Sequence, residues 1–159
     1  MKNKRKIIII VVCVIAAAAI AVGAGVGYYY TRPERTAQKV LTAVYTMDEA
    51  EIQRRREAID NRTFDTYMRE RCDGAVTDKC TDGMITASAL YYGATPAKVE
   101  SIKFSPIDKA TSDTASFQYT AVFSDDSDAK ERIGHVVMKK ENGKWRVDSF
   151  VTKSVTKAD

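Results

Sequence analysis

Histidine is nearly missing from this chain: of its 159 residues, only His135 is one. A Ser/His/Asp set or a histidine-rich metal centre is hard to build on that residue alone. Cysteine is scarce as well, with Cys13, Cys72 and Cys80. Structural zinc takes four ligands, usually in paired Cys and His clusters, and such pairs are not here. There is no internal repeat and no low-complexity tract. Excess charge is also missing once the chain is read in parts. The formal net charge is +4, and Lys2, Lys4, Arg5 and Lys6 all lie in the first six positions. Residues 31–71 carry nine basic and eight acidic side chains, and residues 72–159 carry twelve and thirteen. The basic tip therefore accounts for the whole excess. The rest of the chain has no net field to steer a polyanion, which argues against nucleic acid as a partner. The consecutive Arg54, Arg55 and Arg56 read as a solvated helix face, with Glu51–Arg55 and Arg56–Asp60 pairs at i,i+4.

What the chain does have is one long apolar run. Residues 7–27, "IIIIVVCVIAAAAIAVGAGVG", are 21 in number and carry no charge. At 1.5 Å per residue a helix of this length reaches roughly 30 Å, the thickness of a bilayer core. Tyr28, Tyr29 and Tyr30 follow, where an aromatic belt would lie. The run is longer than the apolar region of a cleaved signal, about 7–15 residues, so it reads as an uncleaved anchor. Val11 and Val12 precede Cys13, where a lipoprotein signal needs a small residue. The basic tip places the N-terminus in the cytoplasm and the remainder outside. Ala19, Gly23 and Gly27 recur every four residues, a spacing that lets membrane helices approach closely. The expected organisation is a cytoplasmic tip (1–6), a transmembrane helix (7–27), a linker (28–32), an extracytoplasmic domain (33–155) and a short tail (156–159).

The outer domain reads as helices followed by strands. Thr31 and Glu34 form a capping box around Pro33, and Ala37, Val40, Leu41, Val44 and Tyr45 recur at helical spacing. Asp48 and Glu51 repeat the capping logic for a second helix reaching about Asp60, poor in apolar residues and therefore expected on the surface. Thr63 opens a third. "MITASALYYG", residues 84–93, reads as a short helix or an irregular run. Then the period changes to two. Ala115, Phe117, Tyr119, Ala121 and Phe123 mark the clearest strand, preceded by one carrying Ile102 and Phe104. Asn142-Gly143 predicts a type I′ hairpin joining 133–140 to 144–151. The sum is an α+β domain, with helices on one face of an antiparallel sheet of about four strands.

A long first helix, further helical turns and a final hairpin ending in "NGKWRVDSF" (residues 142–150) resemble the NTF2-like superfamily. More narrowly, they resemble its bacterial members that place such a domain outside the membrane behind one N-terminal span. A cystatin-like arrangement of helix on sheet is the nearest alternative. The resemblance implies a place in a larger envelope assembly, since similar domains occur in secretion, conjugation and transport-associated machinery. It also implies a cone-shaped pocket, which in enzymatic relatives is lined by Asp, His and Tyr. Here the candidates are His135, Tyr119, Asp148 and Asp65, with His135 sharing a strand face with Ile133 and Val137. Phe117, Trp145 and the adjacent Tyr91 and Tyr92 complete the possible pocket or contact residues.

Cys72 and Cys80 are the other constellation. As a calcium loop, residues 78–83 fail at positions 3 and 12, which hold Cys80 and Ala89. A redox pair is more often C-x-x-C. Outside the membrane a disulfide fits, because Asp73-Gly74 permits the chain reversal. Closing so short a loop would contribute roughly 2.5 kcal/mol in the chain-entropy model.

The expectation is therefore a single-pass membrane protein whose outer domain is a non-catalytic interaction or scaffold module. It uses no cofactor and no metal, and its partners are the membrane and other envelope proteins or further copies of itself. The alternative is a pocket that binds a small apolar ligand or peptide. An isomerase or hydrolase is the third reading and requires His135 or an aspartate buried beside a tyrosine.

Overall fold

An apolar stripe at helical spacing opens the domain. Helix α1 (Pro33–Tyr45) buries Ala37, Val40, Leu41, Val44 and Tyr45, the stripe read from the sequence. This is a computed structural model, and it describes residues 32–87, 96–124 and 131–155. The expectations for the anchor 7–27 (with Cys13, Ala19, Gly23 and Gly27), for Tyr91 and Tyr92, and for the tail 156–159 lie outside these residues. Among the described residues no helix is long and apolar enough to cross a membrane.

Helix α2 (Glu49–Asp60) begins where Asp48 caps it, the Asp48 carboxylate accepting from the Glu51 N–H at 2.6 Å. Such a cap is worth about 1 kcal/mol. Helix α3 (Phe64–Arg71) buries Phe64 and Met68. Helix α4 (Asp78–Thr86) is capped by Thr77, whose hydroxyl accepts from the Cys80 N–H at 3.2 Å. The cysteine segment, read from the sequence as a short loop, is largely bounded by helix. Cys72 ends α3, and Cys80 sits in the first turn of α4. Asp73 and Gly74 take positive φ (57° and 65°) and make the reversal between them. Of residues 84–93, only Met84 to Thr86 belong to a described helix.

Strands β1 (Val99–Phe104), β2 (Lys109–Ala110), β3 (Thr114–Phe123), β4 (Glu131–Glu141) and β5 (Lys144–Val155) form one antiparallel sheet. Its order is β1-β3-β4-β5, with β2 paired to β3. The β4–β5 turn is the expected hairpin: Asn142 and Gly143 both have positive φ, at 51° and 77°. Helix α1 lies against β1, β4 and β5, and α4 lies against β5. The core fills the space between them, and Val40, Leu41 and Val44 belong to one buried cluster with Phe117, Tyr119, Ala121 and Val136. Two single bridges tie the helical connections to the rest. Met47 and Ala97 exchange both backbone bonds at 2.7 Å. Val76 runs parallel to Val147, with Thr77 N–H donating to the Val147 carbonyl at 3.0 Å and Val147 N–H to Ala75 at 2.9 Å.

Candidate functional site

The inner face of the sheet is a set of side-chain rows fixed by strand register. Ala115, Met138 and Val147 make one row, and Phe117, Val136 and Phe150 the next. Tyr119, Gly134 and Thr152 make the third. Phe117 and Tyr119 are fully buried, so they occupy the interior that a ligand pocket would need. Phe117 meets Phe104 edge-on at 5.2 Å. Gly134 is required beneath Tyr119: a Cβ there would stand 2.3 Å from the Tyr119 ring and 2.4 Å from the Val151 carbonyl oxygen.

Three hydroxyls converge at that row. Tyr45 Oη lies 2.5 Å from Tyr119 Oη, Tyr119 Oη lies 2.7 Å from Thr152 Oγ1, and Tyr45 also bonds Thr152. Burial pushes both phenols above their ordinary range, and at Tyr45 the neighbouring Tyr119 adds to the effect. Both are therefore protonated at neutral pH. They can share hydrogen bonds, but neither supplies a phenolate base. The Arg132 guanidinium covers the end of the cluster, 4.6 Å above the Phe123 ring and 5.8 Å from that of Tyr45. The arrangement pins the C-terminal end of α1 to β3 and β5.

His135 lies on the other face. The shared face with Ile133 and Val137 that the sequence showed is the outer one: the inward residues of β4 are Gly134, Val136 and Met138. The close seat of Tyr119 on Gly134 sets this phase. The His135 side chain is 40% exposed, pairs in register between Gln118 and Val151, and has Asp108 Oδ2 3.8 Å from its Nε2. The His135 form of the enzyme reading needed that residue buried beside a tyrosine, and the structure puts it on the face of the sheet opposite Tyr119. Around His135 the outer face exposes Ile133 (43%) and Val151 (67%), with Val137 half-buried. Trp145 is half-buried at the hairpin end, with Lys140 Nζ 5.6 Å from its ring. Asp65 lies in the first turn of α3.

Asp148 is also re-aimed. A bulge in β5 leaves it between the Val137–Ser149 and Met138–Val147 pairs. It turns to the N-terminus of α4, where it meets Thr77 Oγ1 at 3.1 Å and Lys79 Nζ at 2.7 Å. A carboxylate there is favoured by the helix dipole.

The largest departure from the sequence reading is on α2. Glu51 and Arg55 are not a solvated pair; both are fully buried. Arg55 Nε donates to Glu51 at 2.7 Å, and its terminal nitrogens donate to the Val44 and Ala43 carbonyls at 2.9 and 3.0 Å. Arg71 joins from α3, at 2.7 Å from Glu51 and 3.1 Å from the carbonyls of Ala43 and Thr46. Helix α1 has no basic residue in its last turn, so two arginines from later helices satisfy its terminal carbonyls. Beside this network an open groove of about 330 Å³ runs over α2 and α3, lined by Arg54, Glu57, Asn61, Thr66, Tyr67 and Glu70.

Cys72 and Cys80 are both free thiols in the structure, so the bridge expected from the sequence is not formed in it. Both are buried in the core. Burial pushes Cys72 up to about 11 and Cys80 up to about 12, the neighbouring Cys72 adding to the latter. Among the described residues no three His, Cys, Asp or Glu side chains gather into a group able to hold a metal ion.

No family model and no curated protein matches the chain. Among solved structures it is similar to a single-substitution variant of Rv3472, a protein of unknown function from Mycobacterium tuberculosis. The identity is 15%, over 64% of this chain and 70% of that one, with a TM-score of 0.36. A likeness at that level carries no argument about function, and the established description is a mixed α+β domain of four described helices and one antiparallel sheet.

Proposed function

We propose that this chain is a single-pass membrane protein whose extracytoplasmic domain, NTF2-like in architecture, is a non-catalytic docking module for other envelope proteins. The observation that carries this reading is the contrast between the two faces of the sheet. The inner face is closed by Phe117, Tyr119 and the shared hydroxyls of Tyr45 and Thr152. The outer face presents Ile133 and Val151 around a half-exposed His135. Apolar side chains grouped on an open sheet face suit contact with another protein. The anchor rests on the uncharged run 7–27 behind four basic residues. In that anchor Ala19, Gly23 and Gly27 offer a second contact, helix to helix.

Co-purification of the full chain from detergent extracts tests the proposal. The wild type should run in a defined complex with another protein, and the Ile133→Lys, Val151→Lys double variant should lose it while staying folded. A wild-type chain that runs as a solitary monomer, or only as copies of itself, would overturn the reading.

A further inference from the structure

We infer that Cys72 and Cys80 are joined as a disulfide before their helices close over them, and that the folded domain afterwards keeps whichever thiol state it folded with. The first half follows from placement. The two cysteines flank one chain reversal, made by Asp73 and Gly74 in left-handed conformations, and both point into one core cluster. The helices they belong to, α3 and α4, pack against each other.

The second half follows from what covers them. Cys72 is 0% exposed and Cys80 is 3% exposed. The segment between them is pinned to the last strand by the Ala75–Val147 and Thr77–Val147 backbone bonds. Lifting it to admit a reagent breaks those bonds and uncovers the Cys72 end of α3. Disulfide exchange also needs a thiolate attacking along an open approach, and buried protonated thiols offer neither.

In the unfolded chain both barriers are absent. Two S–H bonds of the chain and the S–S bond of a disulfide-carrying oxidant break, and one S–S bond forms between Cys72 and Cys80. The two electrons and two protons pass to the oxidant, which leaves as its dithiol. Such an oxidant acts on the outer side of a cell membrane, so the linked state also depends on the outward location in the proposed function.

The sequence supplies a direct assay. Trypsin cuts after Arg71 and Lys79, so the cysteines fall in separate peptides, residues 72–79 and 80–98. Full-length protein is taken from its native membrane into denaturant with N-ethylmaleimide and digested without reduction. A single linked product is expected; two separately alkylated peptides overturn the inference. Protease added to intact cells reports the side of the membrane independently, so a failed topology and a failed bridge are told apart. For the second half, folded linked protein in dithiothreitol at pH 8 should keep its bridge on the order of a hundredfold longer than in denaturant. Equal rates would overturn the claim that folding locks the thiol state.

Discussion

Arg55 Nη1 donates to the Val44 carbonyl at 2.9 Å from a fully buried position, so a charged side chain of α2 closes the end of α1. Its charge is balanced by Glu51 at 2.7 Å, which Arg71 also meets. Removing one member strands the others. Arg55→Met or Glu51→Gln should cost about 3–5 kcal/mol, because a buried charge is left without its partner. Arg55→Lys should recover little, since an ammonium cannot span Glu51 and two carbonyls at once. Urea unfolding of the purified domain checks all three.

Gly134→Ala tests the inner row. The new methyl would meet the Tyr119 ring at 2.3 Å and a backbone oxygen at 2.4 Å. The oxygen belongs to β5 and cannot turn aside as a flexible side chain would. Overpacking of this kind costs about 1–3 kcal/mol. Adding Tyr119→Ala should restore only part of the loss, because Val151 remains in place; thermal unfolding of the single and double variants decides it.

The tyrosine pair sets an alkaline limit. Tyr45 and Tyr119 have an ordinary value of 10.0, and burial raises both in the folded chain. Above pH 10 the unfolded chain loses these protons while the folded chain still holds them. The unfolded state then binds fewer protons, so stability falls as pH rises. The contribution is complete below pH 10 and declines above it, approaching about 1.4 kcal/mol per pH unit for each group. The reduced thiols, raised from 9.0, add an earlier decline from pH 9 upward. A disulfide-linked domain lacks those thiols and should show only the tyrosine limb. Urea melts of both forms between pH 8 and 11 separate the two, and Tyr119→Phe should flatten the later limb.

His135 should matter little to folding. It is half-exposed and meets Asp108 only at 3.8 Å. His135→Ala should change stability by less than about 0.5 kcal/mol. If the outer face docks a partner, the same variant should weaken co-purification while leaving the melting curve in place. A large loss of stability would contradict the outward orientation of this residue.

These contrasts show which features were local enough to be legible in the sequence. The α1 stripe, the β3 alternation and the Asn142-Gly143 turn each depend on neighbours within one element, and all three were readable. The Glu51–Arg55 spacing was also visible, but an i,i+4 pair looks the same in solvent and in a core. Its burial depends on carbonyls 11 and 12 residues earlier and on Arg71 from another helix. The phase of β4 was ambiguous because Ile133 and Val137 are as apolar as Val136 and Met138. The deciding residue was Gly134, whose missing side chain has meaning only under the Tyr119 ring. The seat of Asp148 at α4 was not readable, because a bulge in β5 breaks the strand alternation there. The closure of the inner face likewise depends on hydroxyls contributed from α1, β3 and β5.

Synthesis runs from the N-terminus onward, and β5 is the last of the described elements to be made. Val147 holds the segment from Ala75 to Thr77, and Thr152 completes the hydroxyl cluster that holds Tyr45. A nascent chain ending before these residues has helices with apolar flanks and no finished sheet to receive them. The domain can therefore close only once its final strand has emerged, which leaves the polypeptide pliable and threadable until that moment.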